Sequence, residues 1–271
     1  MNNIPITREE FNSFSKLVHT ISGIYLKPEK IFLVENRLNK RLRHYGYKSF
    51  TSYLRKVNTD AKELEEMLNL ITTNETSFFR EPMHYDFLRN ELLPNFRGSE
   101  YRVWSAACSI GAEIYSAAMV IDDFRTSQGR GFSVSMLASD INTEVTKKAA
   151  DGLYPIKFSE QIEKRFLKKY CLLGEGQYNG QFLIDDYLKK YVKYTNLNLM
   201  ETPPEIIGKF DLIFLRNMLI YFDNKNKKHI VENVAKRLKV GGYLFIGHSE
   251  SLHGITNILR QVKPTIYIKD K

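Results

Sequence analysis

The chain has 271 residues, of which 43% are hydrophobic, enough for one large domain or two smaller ones, each with its own core. Only two cysteines occur, Cys108 and Cys171, with no C-x-x-C pair, which argues against a disulfide framework or a cysteine-rich zinc site and fits a reducing compartment. The formal net charge of +9 points to an acidic partner without choosing among nucleic acid, an anionic membrane and an acidic protein surface.

The start, MNNIPITREEF, has no basic region followed by an apolar run, so no signal peptide is expected. No run approaches the ~18 apolar residues of a membrane span, and a cytoplasmic protein is the expectation. Residues 1 to 70 read as wholly helical. Phe11, Phe14, Val18 and Ile21 recur at helical steps, as do Leu33, Val34, Leu38, Leu42 and Tyr45, and then Tyr53, Leu54, Leu64, Met67 and Leu68. Gly46 suits the end of the second helix. That helix also carries Arg37, Lys40, Arg41 and His44 at i, i+3, i+4 and i+7, with Arg43 beside them. The cations form either a solvated face or a docking surface for an acidic helix or a phosphate backbone.

Residues 71–81, ITTNETSFFRE, break the helical period with short polar side chains that suit an irregular loop, or a cap before a helix at 83–93. From Tyr101 the pattern alternates. Strands are expected at 101–106, 132–138, 192–195, 210–215, 243–246 and 265–268. Helices are expected at about 112–127, 142–151, 159–170 and 225–239, the last stopped by Gly241 and Gly242. Such alternation implies a mostly parallel sheet with helices on both faces and a ligand beyond the carboxyl ends of the strands.

The stretch YRVWSAACSIGAEIYSAAMVI (101–121) reads as a buried strand, a small-residue turn and a helix opened by Glu113, a geometry that brings backbone amides close to a ligand. It has only Gly111 where a dinucleotide site wants G-x-G-x-x-G, so an ordinary strand-to-helix connection stays equally open. Asp140, at the end of the second strand, stands where a ribose diol would be bound, or is the N-cap of the next helix. Arg216 and Asn217 are wedged between apolar runs, and a buried arginine needs a carboxylate or a ligand to meet it. Residues 171–185, with Gly174, Gly176 and Gly180, read as an inserted hairpin with an exposed edge. The six histidines show no metal-ligand spacing, and no metal is assigned.

Six stretches in this order, TTNETSFFRE (72–81), RVWSAACSIGAEIYS (102–116), ASDINTEV (138–145), NLNL (196–199), FLRNMLIYFD (214–223) and GHSE (247–250), resemble the CheR-type chemotaxis receptor methyltransferases over essentially the whole chain. In the loop at 108–114 the family pattern A-S-T-G-E-E-P-Y-S is replaced by CSIGAEIYS. Ile110 and Ile114 stand for Thr and Pro, and Ala112 stands for the first acid, while Glu113 aligns with the second.

The resemblance implies an α/β protein with a small all-α N-terminal domain (1–70) that docks on receptors, a linker (71–98) and a Rossmann-like methyltransferase domain (99–271) carrying an inserted β-subdomain (171–188). It implies S-adenosylmethionine as cofactor, S-adenosylhomocysteine as product and glutamate side chains of chemotaxis receptors as methyl acceptors. Asn74, Thr76 and Arg80 are then expected at the methionine end of the cofactor, Glu113 at its amino group, Asp140 at its ribose, and Asn198 and Leu199 beside the adenine. Arg216 and Asn217 complete the pocket, and Arg80 and Tyr221 are the residues nearest the chemistry, with Tyr221 positioning the acceptor carboxylate. Arg37, Lys40, Arg41 and Arg43 would face the acidic methylation helices, and Gly174, Gly176 and Gly180 mark a hairpin that grips a receptor's C-terminal tail. A monomer is expected, with neither nucleic acid nor inserted membrane as partner. Two rival readings remain at this point, an RNA methyltransferase and a non-enzymatic adaptor that keeps the fold and docks on receptors.

Overall fold

A computed structural model describes residues 3–72 and 74–270. By their contacts they fall into two compact units. One comprises the residues up to 72 with Tyr221–Asn226, and the other Asn74–Ile220 with the residues from Lys227 onward. No helix among the described residues is long and apolar enough to cross a membrane.

The first unit is helical. Helix α1 (Arg8–Ser22) begins at Thr7, whose side chain accepts from the Glu10 amide while Glu10 reaches back to the Thr7 amide. Helix α2 (Ile31–Tyr45) ends at left-handed Gly46, α3 (Phe50–Thr59) is capped by Ser49, and α4 (Ala61–Ile71) by Asp60. Phe11, Phe14, Val18, Val34, Leu38, Leu42, Phe50, Tyr53 and Met67 form its core, at about 1.5–3 kcal/mol for each fully buried large apolar side chain. Glu63 is buried within this unit. It is held by Arg41 at 2.7 and 2.5 Å and by the hydroxyls of Tyr45 and Tyr53 at 2.8 and 2.7 Å.

The second unit opens with a helix that runs from α5 (Met83–Phe87) through a π turn (Leu88–Leu92) into α6 (Leu93–Asn95). Then come β1 (Glu100–Ser105), α7 (Ala112–Ser127), β2 (Ser133–Asp140), α8 (Thr143–Asp151) and β3 (Leu153–Pro155). Next are α9 (Lys164–Tyr170), β4 (Cys171–Leu173), β5 (Gln181–Ile184), α10 (Asp186–Lys189) and β6 (Val192–Asn196). The chain closes with β7 (Phe210–Leu215), α11 (Asn224–Lys236), β8 (Leu238–Ile246), β9 (Arg260–Lys263) and β10 (Ile266–Ile268). The large sheet has the order β6-β2-β1-β7-β8-β10-β9. Its first five strands are parallel, and β10 and β9 are antiparallel. The order reverses direction at β1, so the crevice outside the carboxyl ends of β1, β2 and β7 is where a doubly wound fold binds its ligand.

Helix α7 is buried on every side from Ala112 to Asp122, not on one face, because it fills the space between the sheet and the small subdomain. The inserted hairpin is part of a three-stranded antiparallel sheet of order β3-β5-β4, so the subdomain draws in Leu153–Pro155 as well as residues 171–188. The stretch at 159–170 divides into a 3-10 segment (Ile156–Gln161) and α9. Gly241 and Gly242 do not stop a helix. Helix α11 ends at Lys236, and the glycine pair lies inside β8, beside a register shift against β7. Gly242 needs its missing side chain there, since a Cβ would lie 2.9 Å from the Lys239 carbonyl.

Candidate functional site

The segments that follow β1, β2, β7 and β8 converge at the carboxyl ends of these strands, joined by the loop at 74–81 and by residues 197–199 after β6. After β1 the chain turns through Ala106–Gly111 into α7. Gly111 holds φ 87, and a Cβ there would stand 2.9 Å from the Ala149 Cβ, so this position demands glycine both for its backbone angle and for close packing. Ser109 takes φ 49, which aims its amide at the Asp140 carboxylate, 2.9 Å away, while its hydroxyl donates to the Asn74 carbonyl at 2.8 Å.

Asp140 does not cap α8. Asn142 does, accepting from the amides of Glu144 and Val145. Asp140 instead accepts from the amides of Ser109 and Asn142, one on each oxygen, and is 8% exposed. Burial pushes its carboxyl above the ordinary carboxylate range, although the amides of Asn142 and Ser109 pull the other way. Each oxygen keeps acceptor capacity, and a pair of hydroxyls is the group that would use it. The Asp140 carbonyl accepts from the Leu197 amide at 3.2 Å, which brings Asn198 and buried Leu199 alongside; the Asn198 Oδ1 accepts from the Met200 amide.

Glu113, in the first turn of α7, is buried. Its Oε1 accepts from the Ser105 hydroxyl at 2.6 Å and its Oε2 from Arg216 Nη1 at 3.1 Å. Burial raises its carboxyl above the usual range, against the pull of Arg216. A desolvated carboxylate incompletely compensated by cations is a place where a further cation binds well.

Arg216, 6% exposed, meets two carboxylates, not one. Besides Glu113 it donates from Nε and Nη2 to Glu81 Oε2 at 3.2 and 3.0 Å, from Nη2 to the Arg80 carbonyl, and from Nη1 to the Tyr85 hydroxyl. Asn217 takes φ 56, donates its amide to Glu250 Oε2 at 2.9 Å and its side chain to Glu81 Oε1 at 3.3 Å. Glu250 also accepts from the amides of Gly247 and Ile220, and so ties the loop after β8 to the end of β7.

The loop carrying Asn74, Thr76 and Arg80 is half-buried here. Arg80 donates to the Glu75 carbonyl at 3.2 Å, and Phe79 and Glu81 both hold positive φ, 51 and 57. Of the described non-glycine residues with positive φ, four (Phe79, Glu81, Ser109 and Asn217) lie in this cluster. At about 1–3 kcal/mol each, such backbone is kept where the surroundings over-determine it, as at ligand sites.

Glu81, Tyr85, Ser105 and Glu250 are the members of the cluster that sequence reasoning did not single out. Glu81, Ser105 and Glu250 do lie within stretches that carry the resemblance. Tyr221 groups with the helical unit, where its carbonyl accepts from the Tyr25 amide. In that same unit Arg37 donates to the carbonyls of Leu70, Ile71 and Thr72 at 3.0, 2.9 and 2.9 Å, and Arg41 is committed to Glu63. Lys40 and Arg43 are left as the exposed cations of the group. Gly176 and Gly180 take left-handed backbone with open space around them, and a Cβ on Gly174 would strike the Tyr178 carbonyl, so all three shape the turn between β4 and β5.

The buried and half-buried charges of the cluster are thus Glu81, Glu113, Asp140 and Glu250 against Arg216 and Arg80. That excess of carboxylate fits a ligand with a cationic end and a diol, and S-adenosylmethionine has both.

Comparison with known proteins agrees. The family described as "CheR methyltransferase, SAM binding domain" matches residues 74–268, and "CheR methyltransferase, all-alpha domain" matches residues 9–72. A chemotaxis protein methyltransferase of Borreliella burgdorferi is 38% identical over 99% of this chain and 96% of its own length. Those of Salmonella typhimurium and Escherichia coli are 35% and 36% identical over 99% of this chain, covering 92% and 93% of their lengths.

Proposed function

The chain belongs to the CheR family of S-adenosylmethionine-dependent chemotaxis protein methyltransferases, and we propose that within it this protein esterifies glutamate side chains of chemotaxis receptors, releasing S-adenosylhomocysteine. The observation that carries the reading furthest is the pairing, at adjacent strand ends, of Asp140 held by two backbone amides with Glu113 held by Ser105 and Arg216.

Bound cofactor supplies a methyl group activated on a sulfonium. Glu113 accepts from its ammonium group and Asp140 from its ribose hydroxyls. Asn198 and Leu199 border the adenine, and Asn74, Thr76 and Arg80 lie toward the methionine end. Arg216 and Asn217 fix the floor of the pocket through Glu81 and Glu250.

A glutamate acceptor, with an unperturbed pKa of ~4.3, is ionised at neutral pH and needs no general base. The transfer neutralises opposite charges, so excluding water and aligning the acceptor are what accelerate it. Tyr221 positions the acceptor carboxylate through one hydrogen bond. Arg80 serves orientation, because gripping the nucleophile too firmly would stabilise the ground state.

The acceptors lie on acidic receptor helices, which Lys40 and Arg43 address directly, with Arg37 adding charge behind them, while the charge of Arg41 is met by Glu63. Strand β4 pairs with β5 alone among the described strands and exposes Leu172 and Leu173. A receptor's C-terminal tail adds there as a further strand beside the turn of Gly174, Gly176 and Gly180, raising the effective concentration of receptor at the site. The protein acts as a monomer in the cytoplasm, where the receptors' methylation helices lie.

Incubation with methyl-labelled S-adenosylmethionine and receptor cytoplasmic fragments tests the reading. Label on the receptor, lost with Lys40→Glu/Arg43→Glu at unchanged affinity for S-adenosylhomocysteine, supports it. Label that never reaches the receptor refutes it.

A further inference from the structure

The Arg216 guanidinium is shared unequally between two carboxylates. Its Nε and Nη2 edge is turned to Glu81 Oε2, at 3.2 and 3.0 Å, while a single nitrogen, Nη1, reaches Glu113 Oε2 at 3.1 Å. We infer that Glu81 is a positioning residue that holds this edge of Arg216 away from Glu113, and so keeps the Glu113 carboxylate open as the acceptor for the ammonium group of the cofactor. The inference rests on the assignment of Glu113 made above.

The physical argument concerns where the guanidinium would otherwise go. Arginine prefers to meet a carboxylate with two parallel N–H groups. Glu113 already spends Oε1 on the Ser105 hydroxyl. If Arg216 lost its Glu81 edge, the fork would turn to Glu113. That would neutralise the carboxylate and fill the lone pairs on the side facing the ligand.

Glu81 is built to prevent this. Its other oxygen accepts from the His248 amide at 3.0 Å and from Asn217 Nδ2 at 3.3 Å, so it is fixed from both the β7 and the β8 ends, on backbone held at φ 57.

The neighbour on its remaining side is His84, fully buried, with Nε2 against the Thr265 hydroxyl at 2.8 Å and its ring stacked on Phe245. Nδ1 stands 3.5 Å from Glu81 Oε2 and makes no hydrogen bond. Burial, helped by Arg216, pushes the imidazole down to about 3, so His84 stays neutral and leaves the charge of Glu81 to Arg216. Burial alone would raise the Glu81 carboxyl. The His248 amide and Arg216 outweigh it, and the group lies below the usual carboxylate range.

The test compares two ligands by titration calorimetry on the full chain. S-adenosylhomocysteine carries the amino-acid end, and 5′-methylthioadenosine keeps the nucleoside and thioether but lacks it. The wild type should prefer the former. Glu81→Gln, close in shape but uncharged, should weaken S-adenosylhomocysteine by about tenfold while leaving methylthioadenosine within about twofold, the size of one hydrogen bond to a charged group.

Retained methylthioadenosine binding shows that the variant is folded. Glu81→Asp, which keeps the charge, should keep most of the discrimination. Equal weakening of both ligands, unchanged S-adenosylhomocysteine affinity, or an Asp variant as impaired as the Gln variant overturns the inference. A wild type that does not discriminate between the ligands overturns the Glu113 assignment instead, and the inference with it.

Discussion

Asp140→Ala separates a ligand role from a structural one. The carboxylate accepts the amides of Ser109 and Asn142 in a buried setting. Removing it strands two backbone donors, at a cost of roughly 1–3 kcal/mol once water enters the space. That corresponds to a melting temperature lower by about 2–12 °C for a unit of this size.

The ligand effect is distinct. Loss of a hydrogen bond to a charged acceptor is worth about 1.5–3 kcal/mol, so the S-adenosylhomocysteine Kd should rise by roughly 10- to 150-fold. Calorimetry with S-adenosylhomocysteine and its 2′-deoxy counterpart isolates that term. The wild type should lose about tenfold or more on deoxygenation, and Asp140→Ala less than about twofold, since its acceptor is already gone. An unchanged Kd, or a variant that still discriminates between the two ligands, would remove Asp140 from the ribose site and leave it as a loop fastener alone.

Arg216→Met leaves Glu81 and Glu113 facing each other without a cation, and removing one partner of a buried pair costs about 3–5 kcal/mol. Burial already places the folded-state pKa of Glu113 above its unfolded value, and the loss of Arg216 raises it further. The penalty is therefore largest at high pH and relieved as pH falls, so the gap in stability from wild type should narrow on acidification; a constant gap contradicts this. Asp122 accepts the hydroxyls of Tyr170, Tyr187 and Tyr191 and Arg125 Nη2, at 2.9, 2.9, 3.1 and 2.9 Å. Burial favours its protonated form, but these partners outweigh it and its pKa is lowered. Its contribution is present above the unfolded pKa and lost as pH falls through the folded one. Asp122→Asn should cost about 1–3 kcal/mol near neutrality and less in acid, measured by urea unfolding across pH. Tyr221→Phe should lower kcat by about tenfold or more with the S-adenosylhomocysteine Kd within about twofold, as expected for a group that orients only the acceptor; normal turnover refutes that role.

What the sequence made legible and what it hid differ by range. The switch from helical period to strand–helix alternation near Tyr101 is local, and so is the placement of Arg216 and Asn217 between apolar runs. Both could be read directly, down to the requirement that Arg216 meet a carboxylate or a ligand. Which carboxylate could not be read, because Glu81 lies 135 residues away and only the sheet order brings it near. Strand β3 has three residues, one of them a proline, and gains strand character only by pairing with β5. Gly241 and Gly242 look like a helix stop until pairing of β8 with β7 turns them into a bulge. The cations of α2 share a face by period. Side-chain length then lets Arg37 reach back to the last carbonyls of α4 and Arg41 to Glu63, so spacing alone overstates how many remain free for a partner.

The central claim is that the methyl group ends on a carboxylate. The protein should be incubated with methyl-labelled S-adenosylmethionine and receptor cytoplasmic fragments, and the labelled receptor treated with mild base. Release of the label as methanol is the predicted result, because a glutamyl methyl ester hydrolyses where an N-methyl or ether linkage does not. Label that enters the receptor but survives base contradicts the account.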